Sequence, residues 1–386
     1  MNKQFDIIVV GAGPAGSMAA LSAALNGRSV CLLERKPQAG TPVRCGEGIG
    51  HRSLVENIDV RPDWIKSIIK RSIMVAPNGL KVEIANVDES YILDREKMDN
   101  DIVKDAIDAG VTYYNQFATT GLKRVGEKEY EVYGNNVILK SNCIILADGV
   151  ESKLARFVGW DTTLQLKDIE TCAFARVISP LIDNETCIFY TGSKVAPGGY
   201  AWVFPRGKGE ANVGLGILGV NSKAGSALES LNRFINSEFP AARITNAHCG
   251  GVPVTKWIRP LVRDGVMLAG DAARQVNCLS GAGIAYSLYA GKHCGQIAAR
   301  AFSNGSIDYS FLNKYQQVWD KRYGKQQIRS YSLKEFVTKN ADDDFLNRIA
   351  VSLSKEDPQK MNYLRVFVRT FSRHPVLLFK AFKLFR

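Results

Sequence analysis

The chain has 386 residues, of which 46% are hydrophobic and 23% charged, and these values exclude a disordered or fibrous protein. Its formal net charge is +12, and half of that excess lies in residues 361–386, which carry six basic and no acidic side chains. A nucleic-acid-binding surface over the whole protein is therefore a poor interpretation, and a basic tail is a better one.

The sequence shows no export signal, no apolar run long enough to span a membrane and no CxxC pair among its eight cysteines. These features argue against zinc and iron–sulfur sites and predict reduced thiols in a cytoplasmic protein.

The first predicted element is a β-strand over residues 5–10, which a glycine-rich turn follows at once. A helix of small residues then leads to a second strand over 29–33 that ends at Glu34. This spacing predicts a βαβ unit that binds a dinucleotide: Gly11 permits the turn, Gly13 admits a pyrophosphate and Gly16 brings helix and strand together. The helix N-terminus would face the phosphates, and Glu34 would accept hydrogen bonds from a ribose.

Two later segments have the same form, a buried strand that runs into a turn. Residues 143–149 end in Ala147-Asp148-Gly149, and residues 265–273 end in Gly270-Asp271-Ala272-Ala273 before a predicted helix over 283–300. Together with the first turn they resemble the FAD-binding fold of flavin monooxygenases and reductases. That resemblance implies FAD as the cofactor, with Asp271 on its ribityl chain and Asp148 supporting the nucleotide and flavin.

A second GxGxxG, at residues 214–219, lies among segments that resemble antiparallel strands, and no strand-and-acid unit follows it. Packing is the better explanation of these glycines than an NADPH site. The sequence therefore does not identify the electron donor, for which NADPH and ferredoxin both remain open.

Two further motifs narrow the class of substrate. The first is the loop Arg44-Cys45-Gly46-Glu47-Gly48. The second is the run Tyr200-Ala201-Trp202-Val203-Phe204-Pro205, which precedes Asn212-Val213-Gly214-Leu215-Gly216. Tyr200, Trp202 and Phe204 alternate and therefore share one face of a strand. Taken alone, such an aromatic row is more often part of a core.

Together with GDAAR and a late G-x-G-I, these motifs resemble the geranylgeranyl reductase family over roughly residues 1–330. The resemblance implies flavin-dependent reduction of isolated C=C bonds in polyprenyl chains such as ether-lipid precursors. It also implies a loop over the flavin that contains Cys45, and a lipid tunnel lined by the stripe from Tyr200 to Phe204. The catalytic residues that we predict are Cys45, Tyr200 and Trp202.

The remaining predicted sites follow from these motifs. We predict that the substrate contacts Tyr200, Trp202, Phe204 and Gly214, and that the proton donor is Cys45, Tyr200 or Glu47, with no preference among them. No metal site is predicted. The predicted cofactor-binding residues are Gly11, Gly13, Ala15, Gly16, Glu34, Arg44, Cys45, Gly46, Gly48, Arg95, Ala118, Asp148, Asp271, Gly283 and Ile284.

Two features leave alternatives open. Arg95, with Asp99 after it, resembles a helix-start arginine near the adenosine, but a surface salt bridge explains the pair nearly as well. Cys278 takes the place of a proline that the family usually has. It could pair with Cys45 in a redox-gating disulfide, although two buried thiols are the better interpretation.

The basic tail has Arg365, Arg369 and Arg373 on one helix face and apolar residues on the other. This pattern predicts a peripheral contact with an anionic bilayer, and a helix pair packed on the protein is the alternative.

We expect an α/β fold: a Rossmann-like FAD-binding domain (1–75, 90–160 and 255–300), an interleaved antiparallel-sheet substrate domain (76–89 and 161–254) and a helical C-terminal region (301–386). The alternatives to a prenyl reductase are a flavin hydroxylase, a quinone-reducing electron-transfer flavoprotein and a non-enzymatic prenyl-lipid-binding flavoprotein.

Overall fold

The structure is a computed structural model that describes residues 3–84 and 89–358. Within them the chain forms two compact units, and each consists of several chain segments. The first unit comprises residues 3–43, 95–164 and 253–328, and the second comprises residues 44–84, 89–94, 165–252 and 329–358. The predicted tail, residues 361–386, lies outside the described residues.

Strands predominate up to residue 268, and helices predominate after residue 283. The strands are β1 (Lys3–Val10), β2 (Val30–Leu33), β3 (Gly48–Gly50), β4 (Ile65–Ile69), β5 (Arg71–Val75), β6 (Lys81–Ile84), β7 (Ser90–Leu93), β8 (Thr112–Tyr114), β9 (Thr119–Arg124), β10 (Tyr130–Gly134), β11 (Val137–Leu146), β12 (Ile169–Ile178), β13 (Thr186–Thr191), β14 (Tyr200–Gly207), β15 (Glu210–Leu218), β16 (Arg243–Pro253), β17 (Val262–Arg263) and β18 (Val266–Leu268). The helices are α1 (Pro14–Leu25), α2 (His51–Val55), α3 (Arg95–Asp108), α4 (Ser226–Glu238), α5 (Ile284–Ser303), α6 (Tyr309–Leu312), α7 (Lys314–Trp319), α8 (Lys325–Asn340) and α9 (Asp343–Leu353).

The sheet of the first unit has the strand order β17-β18-β11-β1-β2-β8, with the β9–β10 hairpin attached to β11. Strand β1 is parallel to both β2 and β11, and its last residue, Val10, stands opposite Leu33 and Leu146. The carboxyl ends of these strands therefore meet at one edge, where an open α/β sheet binds its ligand. The strands predicted over 5–10, 29–33, 143–148 and 265–269 all belong to this sheet.

Helices α1 and α5 pack so closely in this unit that side chains are excluded between them. A Cβ atom at Gly291 would lie 2.1 Å from the carbonyl oxygen of Ala15, and one at Gly295 would lie 2.2 Å from that of Ala19. Both distances are well below van der Waals contact, so the two glycines of α5 are required by the packing of α1. This contact holds the helix that begins at the glycine-rich turn in a defined position.

The second unit contains a sheet with the order β16-β12-β15-β14-β13-β5-β6 and a smaller sheet, β3-β7-β4. Strands β12, β15, β14 and β13 are antiparallel, whereas β13 and β5 are parallel. Helix α4 covers one face of the larger sheet, where Ala173, Val213 and Leu231 are among the residues of a common core. The alternation of side chains along a strand directs the remaining residues of β12, β14 and β15 to the opposite face.

The architecture confirms the predicted fold class: a Rossmann-like unit, an interleaved and largely antiparallel unit, and a helical C-terminal region. The boundary between the units lies at residue 43, whereas the sequence analysis ended the first FAD-binding segment at residue 75. The two units are groups of segments that pack together, whereas the predicted domains are groups of segments that bind the same ligand. The predicted division therefore stays a prediction. Among the described residues, no helix is both long and apolar enough to cross a bilayer.

Candidate active site

The glycine-rich turn after β1 contains glycines of two kinds. A Cβ at Gly11, whose φ is +99°, would lie 2.3 Å from the carbonyl oxygen of Ala147, and one at Gly16 would lie 1.8 Å from that of Gly11. Around Gly13, by contrast, a Cβ would meet no described atom within 4 Å. Protein packing therefore requires Gly11 and Gly16 but not Gly13, and the open space beside Gly13 suits a pyrophosphate at the start of α1.

Glu34 follows β2 and is 8% exposed. Its Oε2 accepts a hydrogen bond from the N–H of Ala12 at 2.8 Å, and its Oε1 accepts one from the N–H of Lys36 at 2.9 Å. These bonds hold the carboxylate beside the glycine-rich turn. Each oxygen keeps a further lone pair with which it can accept a ribose hydroxyl.

Asp271 lies in a 3₁₀ turn, Gly270–Ala273, directly after β18. Burial raises the pKa of its carboxyl group, and Arg274 and Arg95 oppose this shift. In the described part of the chain, no hydrogen bond from a protein donor to this carboxylate is recorded. A Cβ at Gly283 would lie 3.7 Å from its Oδ1, so the N-terminus of α5, with Gly283 and Ile284, is close to it. A half-buried carboxylate of this kind is suited to receive the hydroxyl groups of a ligand.

Asp148 follows β11, and burial also raises the pKa of its carboxyl group. Arg274, which the sequence analysis noted only as part of GDAAR, connects the two turns. It is 2% exposed and donates to the carbonyl oxygens of Val150 and Thr162, both at 2.6 Å. Arg274 therefore ties the turn after β18 to the segment after β11 and places a positive charge near both aspartates.

Arg95 begins α3 and forms a bidentate ion pair with Asp99, at 2.8 Å for each hydrogen bond. Both side chains are buried, so the alternative of a surface salt bridge is wrong. Ala118 is exposed and donates its N–H to Oδ1 of Asn135 at 3.3 Å. Ala15 packs toward Gly270, where a Cβ would lie 2.7 Å from its own, so its contacts are explained by packing. The cofactor roles of Arg95, Ala118 and Ala15 stay predictions.

The first unit thus fits FAD by three independent features: the space at Gly13, the carboxylate of Glu34 and the half-buried carboxylate of Asp271. When it is bound, FAD supplies hydride-transfer chemistry. Within the described residues, no group of His, Cys, Asp and Glu is arranged to hold a metal ion.

The functional residues of the second unit lie on the face of the larger sheet opposite α4, which we call the aromatic face. It comprises Glu170, Cys172 and Phe174 on β12, Phe189 on β13, Tyr200, Trp202 and Phe204 on β14, and Asn212, Gly214 and Gly216 on β15. Tyr200 and Phe204 are partly exposed and Trp202 is 8% exposed, so the stripe is not simply part of the core beneath α4.

The aromatic rings form a continuous row. Trp202 lies 6.0 Å from Tyr200 and 6.1 Å from Phe204 between ring centroids, and Phe189 contacts both Tyr200 and Phe204. The indole ring lies over Gly214, where a Cβ would be 2.3 Å from its Cζ2. The indole N–H donates to Oδ1 of Asn212 at 3.1 Å. Gly214 therefore supplies the space, and Asn212 the orientation, for Trp202.

The loop that contains Cys45 lies against this row. A Cβ at Gly46 would be 3.0 Å from Cε2 of Phe204, and one at Gly48 would be 3.2 Å from the same atom. Asn212 donates to the carbonyl oxygen of Cys45 at 2.9 Å, and the Sγ of Cys45 accepts the N–H of Glu47 at 3.3 Å. The structure thus brings together the two motifs that the sequence separates by about 150 residues.

Glu47 is 1% exposed, and its carboxylate forms an ion pair with Arg206, which also donates to the carbonyl oxygen of Leu93 at 3.1 Å. Arg206, which the sequence analysis missed, directly follows Y-x-W-x-F-P. The carboxylate of Glu47 is therefore committed to holding the loop, which weakens its candidacy as a proton donor. Arg44 is exposed, near Gly250, and its predicted contact with the cofactor stays a prediction.

Glu170 is a second residue that the sequence analysis missed. It is 6% exposed, and burial raises the pKa of its carboxyl group to about 7, with Lys334 acting in the opposite direction. A Cβ at Gly216 would lie 2.7 Å from its Oε2, and one at Gly199 would lie 3.7 Å from its Oε1. Two glycines in the sequence, at 199 and 216, are the available signal, but only the folded chain shows that they lie beside this carboxylate.

All eight cysteines lie in the described part of the chain, and none forms a disulfide. Cys278 is fully buried and donates its thiol to the carbonyl oxygen of Thr255 at 3.0 Å, whereas Cys45 is partly exposed. The expectation of two buried thiols is therefore right for Cys278 and wrong for Cys45.

Comparisons with known proteins bear on this arrangement. Residues 168–252 match the model of the geranylgeranyl reductase catalytic domain, and residues 6–41 match that of the FAD-dependent oxidoreductases. The digeranylgeranylglycerophospholipid reductase of Methanothrix thermoacetophila is 40% identical over 94% of this chain and 96% of its own. The chain belongs to the geranylgeranyl reductase family.

Three further proteins extend the likeness. A digeranylgeranylglycerophospholipid reductase of Methanococcoides burtonii is 37% identical over 100% of this chain and 96% of its own. The crystal structure of a geranylgeranyl bacteriochlorophyll reductase-like protein from Thermoplasma acidophilum has a TM-score of 0.90 at 28% identity and covers 100% of both chains. A flavin-dependent brominase, at 16% identity and a TM-score of 0.71, shares the fold.

These findings confirm the predicted family, the FAD cofactor and the enzyme class, a flavin-dependent oxidoreductase that acts on C=C bonds. The aromatic face, with Gly214 and Trp202, lies entirely within the segment that matches the catalytic domain. The roles of individual site residues stay predictions.

Replacing Gly13 by Ala tests the inference that this glycine serves the ligand and not the fold. We expect the free energy of unfolding of the apoprotein to change by less than about 0.5 kcal/mol, because the added Cβ meets no described atom within 4 Å. The Kd for FAD should rise by about tenfold or more, which corresponds to a loss of about 1.4 kcal/mol. Fluorescence titration with FAD and thermal unfolding of the apoprotein measure the two effects.

Gly126→Ala provides the matched control, because Gly126 is exposed and an added Cβ would make only an ordinary contact, 3.5 Å from Cβ of Glu129. It should change neither quantity. Equal FAD affinity in the two variants would contradict the role assigned to Gly13.

Proposed function

We propose that this protein saturates isolated C=C bonds in the geranylgeranyl chains of an ether-linked glycerophospholipid, with electrons from FAD. The observation that carries the proposal is the aromatic face: a row of partly buried rings, held in place by Gly214, Asn212 and the Cys45 loop. A prenyl chain is long, apolar and uncharged, and such a row of rings binds it by burial of apolar surface.

The reaction adds a hydride to one alkene carbon and a proton to the other. Reduced FAD, when bound, supplies the hydride. An unconjugated trisubstituted alkene accepts hydride poorly unless positive charge develops at its more substituted carbon. The rings of Tyr200, Trp202 and Phe204 offer negative π-faces to that charge.

The neighbouring residues give Trp202 a defined orientation during this step. Its indole is held from one edge by Asn212, and Asn212 also holds the Cys45 carbonyl oxygen. Burial and the nearby Glu170 carboxylate raise the pKa of the Tyr200 hydroxyl far above its usual value, so Tyr200 stays a neutral phenol and is a weak acid. We therefore assign Tyr200 and Trp202 to charge stabilisation and chain positioning.

The external reducing partner is the least defined part of the proposal. The predicted alternatives, NADPH and ferredoxin, both remain open. The glycines at 214, 216 and 219 do not favour NADPH, because each occupies a tightly packed position: a Cβ at Gly219 would lie 2.4 Å from the carbonyl oxygen of Leu166.

A direct test is anaerobic reduction of the bound flavin with dithionite, followed by addition of a digeranylgeranyl glycerophospholipid. We expect flavin reoxidation together with a gain of about two mass units per reduced bond. Reoxidation by a quinone but by no prenyl lipid would instead support electron transfer. Dependence of flavin reoxidation on oxygen, with an oxygenated product, would support a hydroxylase. Persistence of reduced flavin with every acceptor would leave a lipid-binding role.

Trp202→Phe tests the role of the aromatic face. The smaller ring leaves a gap above Gly214 and loses the hydrogen bond to Asn212, so we expect kcat/KM for the prenyl lipid to fall about tenfold. Tyr190→Phe is the matched control, because Tyr190 belongs to the same sheet but packs on Phe234 of α4 on the opposite face. Dithionite reduction of the flavin should be unchanged in both variants, and equal losses of kcat/KM would contradict the assignment.

We further propose that the basic tail holds the enzyme on the anionic membrane that contains its substrate. Changing Arg365, Arg369 and Arg373 to Glu in the full-length chain should abolish co-sedimentation with anionic vesicles at low salt, because it reverses three charges on one predicted helix face. The same reversal at Lys123, Lys128 and Lys153, outside the tail, should leave most of the binding intact. Binding that survives the tail reversal would favour the packed-helix alternative.

A further inference from the structure

The proton for the reaction must come from a titratable group on or beside the aromatic face. The candidates from the sequence were Cys45, Tyr200 and Glu47. Glu47 is committed to Arg206, and Tyr200 is a weak acid in its buried surroundings. The structure adds one carboxyl group that the sequence analysis did not consider, that of Glu170 at the start of β12.

Among the described residues, no protein donor forms a hydrogen bond to the carboxyl group of Glu170, in contrast to the carboxylate of Glu47, which is paired with Arg206. Its side chain is 6% exposed and lies over the backbone at Gly199 and Gly216. A methyl group at Gly216 would crowd Oε2 of this carboxyl group, so Gly216 makes the space that the group occupies, whereas Gly199 borders it in ordinary van der Waals contact. Ion-pairing or hydrogen bonding to protein does not explain why a glutamate stands here.

The position of Glu170 on the sheet places it at one end of the aromatic row. Cys172 follows on the same face of β12, opposite Gly216 on β15, and a Cβ at Gly216 would lie 3.3 Å from its Sγ. The Tyr200 hydroxyl is close enough to Glu170, Cys172 and Cys45 for each of them to raise its pKa. The carboxyl group is therefore next to the ring that ends the aromatic row and near the Cys45 loop.

We propose that Glu170 is the proton donor for reduction of the prenyl C=C bond, an inference that rests on the function proposed above. Its carboxyl O–H bond breaks, and the proton forms a C–H bond with one alkene carbon. The other carbon receives the hydride from reduced flavin, so the flavin is oxidised and the alkene is reduced. The resulting carboxylate regains a proton from solvent before the next turnover.

A general acid must carry its proton at the working pH and still release it, which requires a pKa near neutrality. Burial brings the carboxyl group of Glu170 to this range, with a pKa of about 7. The charged and titratable groups that interact with it are Cys172 on its own strand, Tyr200 on β14 and Lys334 on α8, and Cys45 and Cys249 in turn act on Cys172. Lys334 donates to the carbonyl oxygen of Lys167 at 2.8 Å and contacts the carboxylates of Asp168 and Glu335, which share its charge.

The test compares the wild type with Glu170→Gln, which keeps the size of the side chain but cannot supply a proton. Under single-turnover conditions with flavin reduced beforehand by dithionite, wild-type reoxidation by the prenyl lipid should slow as the pH rises through about 7. Glu170→Gln should lose about 10²- to 10⁴-fold in rate together with this pH dependence. Glu185→Gln, at an exposed glutamate of the same unit paired with Lys70, is the matched control and should behave as the wild type.

Lys334→Met provides an independent test, because it predicts the direction in which the pH dependence of the rate should shift. Since Lys334 lowers the pKa of Glu170, its removal should move the fall in rate to higher pH. A shift to lower pH, or no shift, would show that another group controls the rate. A rate in Glu170→Gln within about threefold of the wild type, with the pH dependence retained, would also overturn the proposal.

The pH dependence of protein stability tests the proposal in a measurement that needs neither substrate nor flavin. The pKa of Glu170 is higher in the folded chain than in the unfolded chain, so the folded state binds its proton more tightly and wild-type stability falls as pH rises between about 4.5 and about 7. The Tm of Glu170→Gln relative to the wild type should therefore be higher at about pH 8 than at about pH 5. A constant difference would mean that Glu170 titrates normally, which would contradict the proposal.

The proposed function and the assignment of Glu170 as proton donor would be contradicted by different results. If the wild type reduces no prenyl lipid but the Tm difference depends on pH as expected, the proposed function fails and the unusual carboxyl group remains. If the wild type reduces the lipid and Glu170→Gln does so equally well, the function stands and the assignment of the proton donor fails.

Discussion

The arrangement of the second unit depends on the missing side chains of β15. Gly214 and Gly216 alternate with Val213 and Leu215, so one face of this strand is packed under α4 while the other is nearly bare. In an antiparallel sheet, a residue without a Cβ gives its space to the side chains of the strands on either side. The indole of Trp202 occupies the space over Gly214, and the carboxyl group of Glu170 occupies that over Gly216.

The same principle explains why two distant motifs form one site. The side chain of Asn212 lies beside these glycines and contacts both Trp202 and the Cys45 loop. The loop can approach the rings because Gly46 and Gly48 also lack side chains where they meet Phe204. Larger residues at these positions would separate the loop from the sheet. Close approach of backbone to ring, rather than any single strong bond, therefore defines the site.

Much of the first unit could be predicted from the sequence, because its signals are local. The strand, turn, helix and acid that end at Glu34 lie within 34 residues, and each element indicates the next one. The aromatic stripe was predictable for the same reason, since alternation along one strand places its residues on one face. In both cases the pattern and the geometry involve neighbouring residues in the chain.

Local patterns could not identify Arg206, Arg274 and Glu170 as functional residues. Their roles depend on strand register and on carbonyl groups that are distant in sequence. Arg274 donates to Val150 and Thr162, more than a hundred residues earlier. The second GxGxxG shows the opposite case. Its pattern resembles a dinucleotide-binding turn, although neighbouring protein atoms fill the space beside each of its glycines. Only the pairing of β15 with β12 and β14 distinguishes the two explanations.

Glu47 and Glu170, both buried in the second unit, illustrate how surroundings assign different roles to the same side chain. A buried carboxylate that is paired with a guanidinium is held as a fixed charge, and removal of either partner leaves an uncompensated ion, so Glu47 and Arg206 act together as a structural clamp on the loop. A buried carboxyl group without such a partner avoids the cost of desolvation by keeping its proton. Because that proton is held weakly enough to leave near neutral pH, the unpaired group is the one of the two that can exchange it with a substrate.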